Sequence, residues 1–300
     1  LSSGGFVTMS SADHPEPFTI DGWMDMPGRS QSCVGETGTW DVWTDYGGGV
    51  EVTIGPGSVA AHGAIAALGD AHQRAGQLPW AELFGPAIEV ARSGIRLGKA
   101  SRYYLDYVHE SIFGWDKASW AAVHAHDGTV AESPICVAGL VETLERIAAN
   151  GWSEMHTGET ARAIADDVQA RGGILSFADL AEYRTVTRPS LIVESGGWQL
   201  GTNPPPAVGG AVIAAIMLLL GDSGLEDRER LIQVQRRVLS QRLAVFDASN
   251  DLERHVAEFL KLVKEQPLAV LESGSTAHVS TADERGNACS VTISSGYGSG

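Results

Sequence analysis

The chain is poor in positive charge. Its 300 residues include 21 lysines and arginines against 37 acidic residues, a formal net charge of −16. A nucleic-acid surface needs clustered basic side chains to face phosphates, so that class of partner is excluded. Cysteine is scarce as well. Cys33, Cys136 and Cys289 are odd in number and far apart, giving neither a disulfide framework nor a CxxC metal pair. They are expected as small buried hydrophobes. Long apolar runs are missing: the longest, "AVIAAIMLLL" at 211–220, is half of the roughly 20 residues that cross a bilayer and reads as a core helix. Neither internal repeats nor low-complexity linkers occur. The chain opens at Leu1 without a methionine and stops in a glycine-rich turn at Gly300, so both ends are expected to be cut from something longer.

What is present is a globular pattern, 43% hydrophobic and 19% charged, with ample material for a core. "GFVTM" and "PFTIDGW" are strand-like pieces within the first fifty residues. From about Gly57 the texture turns helical. The stretch 58–76 has apolar residues three and four apart and Ser58 placed to cap it. Pro79 and Gly94 bracket the next helix. Amphipathic patterns recur at 99–113 and 137–150 around an irregular, tryptophan-containing link. Residues 158–173 form a helix stopped by Gly172-Gly173, and 176–183 a short one capped by Ser176. "SLIVESGGWQLGT" reads as two strands about a Gly-Gly turn, and charged amphipathic helices occupy 226–248 and 251–264. Helices flanked by strands at both ends predict an α+β or layered αββα architecture.

Three short motifs are weaker than they look. "GDSG" at 221–224 matches the surroundings of a trypsin-like serine, but it follows "MLLL" and reads as the polar exit of a buried helix. "HAHD" at 124–127 has metal-ligand spacing without further ligands, and reads as a solvated loop. "GPGS" at 55–58 lacks the lysine of a phosphate loop and reads as a turn with a helix cap.

The C-terminal segment is chemically more consistent. "DERGN" at 283–287 is a five-residue hairpin loop between two alternating segments. Antiparallel register then pairs Ala282 with Ala288, Ser280 with Ser290, His278 with Thr292, and Thr276 with Ser294, all on one face. The other face carries Ala277, Val279 and Thr281 opposite Ile293, Val291 and Cys289. On pattern alone, the hydroxyl-rich face is either a solvated strand pair using Ser and Thr for β-propensity or a site for nucleophilic chemistry.

The segment "STAHVSTADERGNACSVT" resembles the start of the small subunit of the γ-glutamyltransferases (glutathione hydrolases), members of the N-terminal nucleophile hydrolase superfamily. "GGILSFADLAEYRTVTRPSL" followed by "NPPPAVGG", the stretch from "GPGS" to Gly94, and "FTIDGWMDMPG" resemble the same family in the same order. The resemblance implies a four-layer αββα sandwich, incomplete at both ends here. It implies 1–275 as large-subunit sequence and 276–300 as the start of the small subunit of the same domain. It implies a precursor that cleaves itself between Ser275 and Thr276, leaving Thr276 as nucleophile with its own α-amine as base, and a heterodimer of the two subunits. Ser294 falls where the family has a threonine that supports the nucleophile. No metal or organic cofactor is implied, and the substrate class is a small γ-glutamyl amide such as glutathione. An extracytoplasmic location, periplasmic, secreted or membrane-anchored, goes with the family.

Two departures touch substrate recognition. Trp23 stands where the family carries an arginine for the substrate carboxylate, a task suited to a bidentate guanidinium. Gly296 or Tyr297 stands near the family's asparagine that touches the glutamyl group. These changes raise two alternatives: an acylase for a different amide, and an uncleaved, non-catalytic homologue.

Overall fold

The computed structural model describes residues 2–13, 15–28, 38–45, 49–131, 134–221, 227–265 and 277–294. The chain runs through β1 (Gly4–Ser10), β2 (Phe18–Gly22), β3 (Trp40–Thr44) and β4 (Val50–Ile54). Helices α1 (Ala64–Ala75), α2 (Gly85–Ser93), α3 (Lys99–Phe113), α4 (Lys117–Val123), α5 (Leu140–Asn150), α6 (Glu159–Ala170) and α7 (Phe177–Glu182) follow. Then come β5 (Val186–Pro189), β6 (Leu191–Ser195), β7 (Trp198–Thr202), α8 (Val208–Leu220), α9 (Arg228–Gln241) and α10 (Leu252–Glu265). The hairpin β8 (Ala277–Ala282) and β9 (Ala288–Ser294) is last. The described residues fall into two compact units, one drawn from 2–4 and 23–184, the other from 5–22 and 185–294.

In the first unit, α1, α6 and α7 share a core of Ala61, Ala66, Ala161, Ala165, Val168, Leu175, Leu180 and Tyr183. Its small side chains let the backbones approach closely, and Gly69 carries this furthest: a Cβ there would collide with the Trp152 indole. α7 begins with a capping box, the Ser176 hydroxyl accepting from Asp179 N–H while the Asp179 carboxylate accepts from Ser176 N–H. The helix expected from residue 58 instead begins at Ala64, and Ser58 does not cap it. Ser58 closes a 3₁₀ turn, its hydroxyl donating to Gly55 O at 2.8 Å. Residues 59–62 cannot join α1 because Ala61 exchanges two 2.9 Å backbone hydrogen bonds with Asp25. Gly63 and Ala64 then donate their N–H groups to Ser3 O. The link read as irregular contains α4, whose N-terminus is capped by the Asp116 carboxylate accepting from Ser119 N–H at 2.8 Å.

The cysteine expectation is corrected. Cys136 is exposed and Cys289 half-buried, while Cys33 lies outside the described residues. Ile135 pairs with Ile95 through two backbone hydrogen bonds and turns inward, so alternation directs the next side chain outward. Burial nonetheless raises the Cys289 thiol pKa.

In the second unit, five strands form a sheet in the order β5-β2-β1-β9-β8. Gly5 lets β1 lie close to β9, since a Cβ at that position would sit 2.6 Å from Thr292 O. β6 and β7 form a separate hairpin whose turn uses Gly196 and Gly197 at φ 57° and 78°, the paired left-handed conformation of a type I′ turn. α8 is apolar on all sides and is covered by α9 and α10 through Val234, Val238, Val256, Phe259 and Val263. Inside the sheet, the buried Thr19 hydroxyl lies 2.9 Å from both the Thr8 and Ser190 hydroxyls, so each polar group finds a partner.

Candidate functional site

Asp283 folds the tip of the terminal hairpin. Its carboxylate accepts from the N–H groups of Arg285 and Asn287 and from the Asn287 side-chain amide. These bonds hold the carboxyl below its usual pKa, the Asn287 contacts being the largest cause. The loop sets the strand register at Ala282↔Ala288, Ser280↔Ser290 and His278↔Thr292, the pairing expected from the sequence. Ser294 ends β9. Ser275, Thr276, Gly296 and Tyr297 lie outside the described residues.

One face of the hairpin is a connected polar array. His278 Nδ1 lies 2.7 Å from Thr292 Oγ1, and its Nε2 lies 2.8 Å from Ser280 Oγ and 3.2 Å from Ser290 Oγ. The two serine hydroxyls are 3.0 Å apart. The hydroxyls expected on this face are joined by the imidazole of His278. Period-2 spacing from residue 276 was the signal that points to His278. An imidazole so placed can orient hydroxyl groups and pass protons among them. The opposite, apolar face is not covered on β8: Val279 is 62% exposed, β8 being the edge strand among the described residues.

Trp23 belongs to the first unit, 41% exposed, in the segment between β2 and the Asp25–Ala61 bridge. Its carbonyl accepts a 2.7 Å hydrogen bond from the Tyr183 hydroxyl. Two residues on, both backbone groups of Asp25 are bonded to Ala61. Further along, Gly28 N–H donates to the Asp179 carboxylate at 3.0 Å, tying this segment to the α7 capping box.

The three weaker motifs resolve differently. "HAHD" is not simply a solvated loop: His126 is exposed, but His124 is buried. The His124 ring stacks on Trp120 with centroids 3.3 Å apart, and its Nε2 lies 2.8 Å from His109 Nδ1. The i, i+4 stacking of histidine on tryptophan wins over hydration. Among the described residues no group of three or more His, Cys, Asp or Glu side chains gathers as a metal site. "GPGS" is the 3₁₀ turn already given, and of "GDSG" only Gly221, the residue that follows α8, is described. Among the described residues no helix is long and apolar enough to cross a membrane.

One cluster had no signature in the sequence. His62 and His156 are buried with ring centroids 5.1 Å apart. His62 Nε2 contacts Met155 O at 2.8 Å, and His156 Nδ1 contacts Leu180 O at 3.2 Å. A carbonyl only accepts, so each ring donates there and its other nitrogen carries a lone pair. Those two nitrogens, His62 Nδ1 and His156 Nε2, have no hydrogen-bond partner. Burial, reinforced by His156, lowers the His62 pKa from 6.5 to about 4. Burial lowers that of His156 as well.

Residues 3–300 match the family model described as Gamma-glutamyltranspeptidase. The chain is 28% identical over 276 residues to a glutathione hydrolase proenzyme of Pseudomonas aeruginosa, covering 82% of this chain and 49% of that protein. It thus spans about half the length of the curated relatives it matches. Among solved structures, the Helicobacter pylori gamma-glutamyltranspeptidase is similar at TM-score 0.66 and 19% identity, covering 90% of this chain and 80% of that one. A cephalosporin acylase from Bacillus halodurans is similar at TM-score 0.69 and 20% identity, covering 98% of this chain and 57% of that one.

Proposed function

The chain belongs to the gamma-glutamyltranspeptidase family, and from that premise we propose that it is the autoprocessing, nucleophile-bearing part of a γ-glutamyl amidohydrolase. Its fold is the α+β fold of the N-terminal nucleophile hydrolases. The observation that carries the proposal is the hairpin register. We extend that register by one pair in this reading, with Thr276 taken across from Ser294 and on the face of His278.

In this reading the Thr276 hydroxyl attacks the carbonyl of Ser275. The peptide bond breaks as an ester forms, and water hydrolyses the ester. The products are a carboxylate on Ser275 and a free α-amine on Thr276. That amine has an unperturbed pKa near 8 and serves as base close to neutral pH. It takes the hydroxyl proton as Thr276 Oγ attacks the γ-glutamyl amide, and gives it to the departing amine. The acyl group then passes from the threonine ester to water or to an amino acid. Ser294 supports the nucleophile, the sequence up to residue 275 belongs to one subunit of a heterodimer and that from 276 to the other, and the enzyme works outside the cytoplasm.

Trp23 favours a second reading, an acylase for a less charged acyl group. An exposed indole offers apolar surface and a single donor where a guanidinium offers a bidentate clamp. Gly296 and Tyr297, where the family has a glutamyl-binding asparagine, point the same way.

Intact-mass measurement on the full-length protein, beside Thr276→Ala, tests the nucleophile. Wild type should separate into two chains and the variant should stay whole; a folded wild type that remains one chain refutes the proposal. Rates on a γ-glutamyl anilide against neutral acyl amides then choose the substrate. Strong γ-glutamyl turnover would remove the second reading.

A further inference from the structure

Trp23 is held by its backbone while its ring stays accessible, and the holding contacts close on themselves. The Tyr183 hydroxyl donates to Trp23 O at 2.7 Å across 160 residues of sequence. Tyr183 is buried, and its ring stacks on His156 with centroids 5.3 Å apart and planes at 27°. His156 is fixed through Nδ1 to Leu180 O, three residues before Tyr183, and edge-on by Trp152. Beside it lies His62, fixed to Met155 O. Ala61, the residue before His62, forms the two-bond bridge to Asp25, two residues after Trp23.

The circuit therefore runs from Trp23 through Tyr183, His156, His62, Ala61 and Asp25 back to Trp23. Its interior is sealed: His62 is 1% and His156 2% exposed. Rigid backbone under an exposed aromatic ring is what a recognition residue needs, because little ordering remains to be done when a ligand arrives.

We propose that Tyr183 is a positioning residue for substrate recognition, holding the Trp23 carbonyl so that the indole meets the acyl group of the donor substrate. This rests on the reading of Trp23 as a substrate-contacting residue, whichever acyl class it selects. Tyr183 touches no reacting atom; it acts through Trp23.

Tyr183→Phe in the processed full-length enzyme tests this. The substitution removes the hydroxyl and keeps the ring on His156. The expected result is a rise of about three- to tenfold in KM for the preferred acyl donor, the range a single lost hydrogen bond gives. kcat should stay within about twofold, and self-cleavage should be complete by intact mass. KM does not depend on the active fraction of a preparation, so partial misfolding does not imitate this result. Unchanged KM refutes the positioning role, as does an equal fall in kcat and self-cleavage, which would mean general structural damage. Trp23→Ala separates the two layers. If it leaves KM unchanged, the reading of Trp23 fails; if it raises KM while Tyr183→Phe does not, only the positioning role fails.

Discussion

Acidification should unfold the protein partly through one imidazole. His62 is 1% exposed, donates from Nε2 to Met155 O and has no partner at Nδ1. Adding a proton to Nδ1 would create a buried charge 5.1 Å, centroid to centroid, from another imidazole. Its pKa accordingly falls from 6.5 to about 4, with burial the first cause and His156 the second. The unfolded chain therefore binds the proton more readily than the folded one. Stability from this group is complete above pH 6.5 and is lost as pH falls towards 4. At about 1.4 kcal/mol per pH unit, the loss amounts to about 3 kcal/mol, a large share of a typical 5–15 kcal/mol. The contrast is His62→Gln, whose side-chain amide still donates to Met155 O and does not titrate. Urea unfolding of both full-length proteins at pH 7, 6, 5 and 4 isolates the term, because carboxylates such as Glu154 and Asp116 titrate in both. The difference in unfolding free energy, wild type minus variant, should fall by about 3 kcal/mol across that range. A flat difference, or one that grows in acid, would refute the reasoning.

His278→Phe removes the imidazole that joins Thr292, Ser280 and Ser290; kcat should fall about 10- to 100-fold with a smaller change in KM, and unchanged initial rates would take His278 out of the site. Asp179→Ala breaks the capping box and the bond to Gly28 N–H, and thermal denaturation should report a loss of about 1–2 kcal/mol; no shift would mean that solvent replaces both. Trp23→Arg supplies a guanidinium at the exposed position and should raise the rate on γ-glutamyl anilide relative to neutral acyl amides. A falling ratio would argue against a carboxylate-facing role for that position.

Local signals made much of this fold legible before any coordinates. Ser176 before α7, Gly94 after α2 and the Gly196-Gly197 turn mark boundaries through their own backbone chemistry, and the structure places each where it was expected. The hairpin register followed from a loop length and a period of two. What escaped was set by distant partners. α1 begins six residues after Ser58 because Asp25 and Ser3 claim the intervening backbone groups. Trp40–Thr44 and Val50–Ile54 pair with each other, yet their glycine-rich surroundings hid the alternation. His62 and His156 lie in separate connecting segments and meet only in the packed core. The Trp23 carbonyl accepts its hydrogen bond from Tyr183, 160 residues away, a contact that no window of sequence contains.

The sheet order also has a consequence in time. β1 is flanked by β2, its immediate successor, and by β9, the last described strand. On a ribosome adding roughly 5–20 residues per second, β1 and β2 wait on the order of tens of seconds for β9 to emerge. The strand pair that carries the proposed cleavage chemistry is thus built into its sheet only after everything before it has been made. In the proposed reading, synthesis itself becomes a clock: cleavage waits until the residues that precede the hairpin have been made.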